Sequence, residues 1–344
     1  MVYRINPSHQ PLWRDPHTLQ LGLGSNKVLL RKLSAAQERL IAALYQGIAD
    51  QQLGLVSKQL GLAESDSKQL ISEVEELLLR ESNASKTQLS SEFIATAYAE
   101  IIRNSLTHSI DGESVLIERQ HRRVAIETLN RTGLSLSLGL AASAVGTLLS
   151  ADTQLVSQSD LGASAYATQL EGRSRQLALQ AILQASPNQT KVENLTTEKQ
   201  ISKLDFAVLI ANQVIPTKRY APFMKHSIPH LAITFDANGA WVSPTIVPGK
   251  TACLKCLDLS KTESDEKWPA IASQLATSSN RFDDTSSQLF AAGLALQKIL
   301  TQLDRIGGFE LTQEETNGYR LNATTGEVSE FQWQISKACD CWQV

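Results

Sequence analysis

The chain has 344 residues, 42% hydrophobic and 19% charged, the balance of an ordinary globular protein with room for two or three domains and a substantial core. A formal net charge of -3 argues against general affinity for nucleic acid, which needs a basic surface to displace phosphate counterions. The start has no basic flank and apolar run of a signal peptide and no stretch is long and apolar enough for a bilayer span, so a soluble cytoplasmic protein without membrane partners is expected.

In chain order, the apolar run Thr18 to Leu23, the Gly24-Ser25-Asn26 turn and the run Lys27 to Arg31 predict two short strands. Three helices follow. Ser34 caps the first with Gln37 three residues on, Leu40, Ile41 and Leu44 mark its buried stripe, and Gly47 stops it. A short one spans about Leu53 to Leu60 and ends at Gly61; the third, Ser65 to Arg80, places Leu70, Ile71, Val74, Leu77 and Leu78 on one face. Strands packed on three helices predict a small winged-helix-like α+β domain over residues 1–90. This segment carries ten Lys/Arg against nine Asp/Glu, and Glu73, Glu75 and Glu76 on the third helix would repel phosphate, so peptide binding fits better than DNA. Residues 91–112 read as a connector containing a helix from about Glu92 to Leu106.

From residue 113 to 344 strands and helices alternate. Val124 to Leu129 reads as a strand, Gly133 to Ala144 as a helix, Thr147 to Ala151 as a second strand ending at Asp152, and Phe206 to Ile210 as a later buried strand. This is a Rossmann-like α/β unit. A nucleotide-binding version has a G-x-G-x-x-G turn and an acidic residue about twenty positions on. Here the turn is Thr128-Leu129-Asn130-Arg131-Thr132-Gly133, with Asp152 at the right distance, and only the last glycine is kept. Thr128, Asn130, Gly133 and Asp152 therefore mark a degenerate nucleotide site, with Gly133 and Asp152 read as architectural.

The four cysteines form two pairs, Cys253-x-x-Cys256 and Cys339-x-Cys341. Paired thiolates at these spacings each turn around one ion, so a closed structural Zn²⁺ site is expected that ties the end of the chain to its middle. Reduced buried thiols and disulfides are the alternatives. Trp268-Pro269 is expected to anchor the loop after the first pair, and His230 to be a hydrogen-bonded structural residue. The helix Ser286 to Leu303 suits core or dimer packing, a homodimer being the expected assembly. Phe309 to Ile335 reads as antiparallel strands with turns at Asn317-Gly318 and Thr325-Gly326.

Several of these segments together resemble a known family. Val124 to Leu161 resembles the first βαβ unit of the ThiF/MoeB family, relatives of ubiquitin-activating enzymes. Ile228-Pro229-His230-Leu231, the run Val247 to Leu259, Trp268-Pro269 and Gln274-Leu275 resemble the ThiF-like cyclodehydratase and leader-binding proteins of actinobacterial type, partners of YcaO-type enzymes in azoline-peptide biosynthesis. The resemblance covers about residues 10–344. The N-terminal segment resembles PqqD-like leader-peptide recognition domains, which add an extended peptide to a small sheet beside a helix; Lys27 to Arg31 and the exposed side of Ser65 to Arg80 would line that groove.

The family's chemistry transfers less completely. An active member adenylates a C-terminal carboxylate. Here Thr128 and Asn130 replace the first two glycines, Ser159-Asp160-Leu161-Gly162-Ala163 lacks the family's arginine, and Ala211-Asn212-Gln213 lacks its Mg²⁺ aspartate, with Arg219 as the only remnant. No cysteine lies between Cys256 and Cys339 to form a thioester. The expectation is a pseudoenzyme or scaffold with structural zinc and no ATP, presenting a peptide or protein to a partner. An ATP-dependent adenylyltransferase is the alternative, and a DNA-binding regulator a third reading.

Overall fold

A computed structural model describes residues 2–24, 27–80, 89–188, 190–309 and 317–341. The chain divides into two compact units, 1–117 and 118–344.

The smaller unit has two sheets and six helices among the described residues. β1 (Val2–Tyr3) pairs with β5 (Ile48–Ala49), and β2 (Pro11–Asp15), β3 (Thr18–Leu21) and β4 (Val28–Arg31) form an antiparallel sheet in that order. α1 (Ala35–Gln46) begins at a capping box in which Ser34 and Gln37 satisfy each other's backbone donors, and Gly47 closes it at φ 94°. α2 (Leu53–Leu60) ends on left-handed Gly61. α3 (Glu64–Glu73) is shorter than expected: a 3₁₀ turn over Glu75–Leu77 follows, and the chain is then extended. Two forces end it. Glu73, Glu75 and Glu76 put negative charge at the negative end of the helix dipole, while Leu78 bridges Ile5 and the Leu79 N–H bonds the Arg4 carbonyl. The core between these elements contains Ile5, Leu21, Leu40, Leu44, Leu70 and Val74.

Residues 91–112, expected as a connector, are helical and packed. α4 (Ser91–Thr96), α5 (Tyr98–His108) and α6 (Gly112–Arg119) follow one another, and Asn6 and Ser105 exchange two hydrogen bonds, Asn6 Nδ2 to Ser105 O at 3.0 Å and Ser105 Oγ to Asn6 Oδ1 at 2.8 Å. These bonds explain why polar residues lie inside this segment.

The larger unit is built on one sheet of eight strands. In chain order these are β6 (Arg123–Ile126), β7 (Thr147–Ser150), β8 (Lys191–Asn194), β9 (Phe206–Asn212), β10 (His230–Asp236), β11 (Gly239–Val242), β12 (Gly318–Asn322) and β13 (Val328–Phe331). The spatial order is β13-β12-β11-β10-β9-β6-β7-β8, parallel from β8 to β10 and antiparallel from β10 to β13. β9 is apolar and buried over five successive residues because a parallel strand is covered on both faces. Alternation sorts its neighbours: Val124 and Ile126 join one core, with α7 (Arg131–Ala142), α8 (Arg175–Gln184) and α13 (Thr285–Ile306), while Ala125 joins the other. That second core also holds Tyr220 and Phe223 of α10 (Thr217–Lys225), which follows the single turn α9 (Glu198–Ile201), and all four cysteines. α11 (Leu254–Ser264) and α12 (Trp268–Leu275) complete the unit.

Gly318 is no turn. It opens β12, and a Cβ there would lie 2.5 Å from Phe331 Cζ and 2.7 Å from Pro244 Cδ, so glycine is required by packing. Thr325-Gly326 does form a turn, with Gly326 at φ 73°; residues 310–316, where the first strand of that region was expected, lie outside the described residues. Among the described residues no helix is long and apolar enough to cross a membrane.

Arg119 and Asp304 form a two-pronged ion pair, each bond 2.8 Å, with both side chains 4% exposed. Asp304→Ala takes this carboxylate away from a buried guanidinium and is expected to cost about 3–5 kcal/mol, read as a lowered melting temperature and denaturation midpoint.

Candidate metal centre and the carboxyl edge of the sheet

The two cysteine pairs arrive from different directions. After β11 the chain pairs once with the start of β10, His230 N–H to Ile246 O at 2.9 Å and Ile246 N–H to His230 O at 2.7 Å, then turns at Gly249 and reaches Cys253, the N-cap of α11. Cys256 lies in that helix's first turn, where free N–H groups favour a thiolate. The second pair follows β13 through a turn closed by Cys339 N–H to Ser336 O at 3.0 Å. Trp333 Nε1 donates to Ala252 O at 3.1 Å and Lys255 pairs with Asp340 at 3.0 Å, joining the arms on either side of the sulfurs.

All four ligand atoms lie within 4.8 Å of one another and all four cysteines are buried. The Sγ separations are 3.8 Å for Cys253–Cys256, 3.6 Å for Cys253–Cys339 and 3.5 Å for Cys256–Cys341. A disulfide would need about 2.05 Å. A tetrahedron of sulfurs about 2.3 Å from one ion has edges of about 3.8 Å, so the donors fit Zn²⁺ without rearrangement. Burial pushes the Cys253 thiol well up and that of Cys341 up to about 11. At Cys256 burial also acts upward, but hydrogen bonds from the Ser336 and Cys253 backbone outweigh it and the thiol falls below its ordinary value. A dication at their centre would hold sulfurs this close together as thiolates.

The degenerate turn lies at the carboxyl end of β6, and the structure does bring Thr128, Asn130, Gly133 and Asp152 together there. Asn130 is the N-cap of α7, its Oδ1 accepting the Gly133 N–H at 3.0 Å. A Cβ on Gly133 would lie 1.9 Å from Thr128 O, so this glycine permits the helix to approach the strand. Asp152 faces inward: Oδ2 accepts the Leu129 N–H at 2.7 Å and pairs with Arg175 at 3.2 Å, and Oδ1 accepts the Gln154 N–H at 2.8 Å.

Arg175, Asp160 and Tyr166 were not singled out in the sequence. Arg175 bridges Asp152 to fully buried Asp160, at 2.8 Å to Oδ2. Burial acts upward on the Asp160 carboxyl, but hydrogen bonds from Ser157 and Arg175 outweigh it and the group stays below the usual range. The fully buried Tyr166 donates its hydroxyl proton to Leu129 O at 2.8 Å, and burial pushes its pKa up. Asp152, Asp160, Arg175 and Tyr166 thus form one buried polar set beneath the turn. Arg219 forms an ion pair with Glu127, its Nε 2.7 Å from Oε1, and also donates to Ile210 O. Asn212 accepts the Phe282 N–H at 3.0 Å. The remaining singled-out residues are structural: His230 Nδ1 lies 2.8 Å from Ile228 O, and Trp268 Nε1 donates to Asp258 at 3.3 Å beneath the Lys261 ammonium.

In the smaller unit a groove of about 910 Å³ runs beside α3, lined among others by Val2, Tyr3, Lys68, Ile71, Glu75 and Leu79. The strand beside it is β1. Lys27 to Arg31, expected to line a groove, does not line this one, because the extended chain after α3 meets the N-terminal segment.

No protein-family model and no curated protein matches the chain. Among solved structures, E. coli MccB with AMPCPP and MccA is similar at TM-score 0.70 and 14% identity, covering 99% of each chain. MccB with ATP gives 0.68 at 14% identity, covering 99% of this chain and 100% of that one. PaaA gives 0.64 at 18% identity over 81% of this chain and 96% of its own. The likeness is one of fold.

Freshly purified protein is expected to contain one zinc per chain, and Cys341→Ser to lose it. A loss of even ~3 kcal/mol lowers the melting temperature of a unit this size by about 6–12 °C. Elemental analysis well under one zinc per chain would contradict the site. Gly133→Ala is expected to lower the melting temperature by about 4–12 °C, from about 2–3 kcal/mol of overpacking, whether or not nucleotide is present.

Proposed function

We propose that this chain is a peptide-binding scaffold on a ThiF-like fold, which presents a peptide or small protein to a separate catalytic partner and does not itself adenylate it. One observation carries this reading: Asp152, the residue positioned for a ribose, has both carboxylate oxygens engaged, by Leu129 of the phosphate turn, Gln154 and Arg175. Opening that arrangement for a nucleotide would leave the Arg175 cation, 5% exposed, with one partner fewer. No described cysteine is free of the metal cluster to act as a nucleophile.

The peptide half of the reading has support of a different kind. MccB, similar in fold over 99% of this chain, has been crystallised with MccA. The groove beside α3 in the smaller unit offers the strand edge and apolar floor that an extended peptide uses. Residues 1–90 are the recognition domain in this proposal, residues 113–344 the ThiF-like domain, and the zinc is structural. The partner, following the family resemblance, is a YcaO-type cyclodehydratase acting in the cytoplasm, and the scaffold works as a homodimer.

Adenylation of a C-terminus is the second reading. MccB has been crystallised with ATP, and Arg131 and Arg281 line a cavity of about 550 Å³ at the carboxyl edge of the present sheet. The two readings differ in one assay. The zinc-loaded full chain is expected neither to bind ATP at about millimolar concentration nor to exchange pyrophosphate into it, with or without candidate peptides. Exchange stimulated by any peptide would replace the scaffold reading with the enzymatic one.

A further inference from the structure

A pocket of about 80 Å³ lies where α11 packs against the sheet of the larger unit. The chain leaving β9 contributes Gln213, and α11 contributes Leu257, Asp258 and Lys261. Phe331 and Trp333 form a further wall, their rings stacked with centroids 5.7 Å apart.

Three polar groups of this lining are left short of partners. Asp258 and Lys261 stand three residues apart on α11, a spacing at which opposite charges commonly pair, yet among the described residues they form no ion pair. Trp268 keeps them apart: its Nε1 donates to Asp258 Oδ1 at 3.3 Å, and its ring lies under the Lys261 ammonium, 4.4 Å from the centroid. The ring answers one side of the ammonium, whose three N–H donors find no hydrogen-bond acceptor among the described residues. Burial accordingly pushes the Lys261 pKa down, against the pull of Asp258 and Asp236. Gln213 is the third group. It holds a left-handed φ of 70°, and its Oε1 is buried without a hydrogen-bond partner, a strained residue with an unmet acceptor. Asp236, the other carboxylate of the lining, is already engaged by the Asn238 N–H at 2.7 Å and by Trp241 Nε1 at 3.0 Å.

We propose that this pocket binds a free α-amino acid with a small apolar side chain, its carboxylate on Lys261, its ammonium between Asp258 and Gln213 Oε1, and its side chain against Leu257 and Trp333. Opposite charges that share one carbon match a cation and an anion one helical turn apart that do not meet each other. Size limits the ligand. A water takes roughly 10–15 Å³ by this measure, so the pocket has room for about five to eight, the heavy-atom count of a small amino acid and well below that of a peptide segment. The pocket belongs wholly to the larger unit, and the inference stands whether or not the chain presents a peptide.

The test is calorimetric titration of the zinc-loaded full chain with L-valine, N-acetyl-L-valine, L-valine methyl ester and the tripeptide Ala-Ala-Val. Saturable binding of L-valine is expected, at least about tenfold tighter than that of the acetylated compound, which lacks the ammonium, or the ester, which lacks the carboxylate. Lys261→Met and Asp258→Asn should each weaken valine binding at least about tenfold, a loss of about 1.4 kcal/mol, with zinc content unchanged. No binding of L-valine, equal binding of the acetylated or esterified compound, or wild-type affinity in Lys261→Met would each overturn the proposal. Tripeptide binding as tight as that of valine would also overturn it, since the pocket would then belong to a peptide's C-terminus. The comparison among ligands needs only the wild-type protein, so it decides the matter even where a variant fails to fold. None of these results bears on pyrophosphate exchange, so the pocket and the scaffold reading fail separately.

Discussion

A guanidinium inside a protein must meet negative charge, and Arg175 meets it from two directions. Asp152 comes from the end of β7 and Asp160 from the following loop, and the cation draws both into the interior beneath the phosphate turn. Both carboxylates are buried, since a buried cation stripped of its partners costs several kcal/mol. The turn then closes over them: Leu129 bonds Asp152 through its N–H and Tyr166 through its carbonyl. The loss of two glycines and the inward turn of the aspartate are thus two sides of one arrangement. A glycine turn leaves room for a phosphate against the backbone, and here Leu129 is 1% exposed and fills the interior instead.

The four cysteines lie at the other side of the same sheet. Their sulfurs belong to the core that holds Ala125, Ala207 and Leu209, and they bring two long connections of the chain together.

Features governed by neighbours in the chain were legible in the sequence. Ser34, Gln37, Gly47 and Gly61 each act within one helical turn, and the helices they bound appear as expected. The cysteine pairs were legible because metal-ligand spacing is a local property. Features governed by distant partners were not. Arg175 lies 23 residues from Asp152 and 15 from Asp160, and no spacing marks them as a set. α3 lost its last turns to pairing with residues 4 and 5, a competitor about seventy positions away. β2 escaped notice because four of its five residues are exposed, leaving no alternating pattern. Gly318 shows how one residue type answers two demands, the turn read from Asn-Gly and the close approach of Phe331 that the fold imposes.

A crystal structure grown with magnesium and a non-hydrolysable ATP analogue examines the turn at residues 128–133 directly. The expected result is Arg175 bridging Asp152 and Asp160, the Leu129 N–H on Asp152, and no nucleotide density at the turn. Phosphates lying against residues 128–133, with Leu129 released and Asp152 turned onto a ribose, would contradict it.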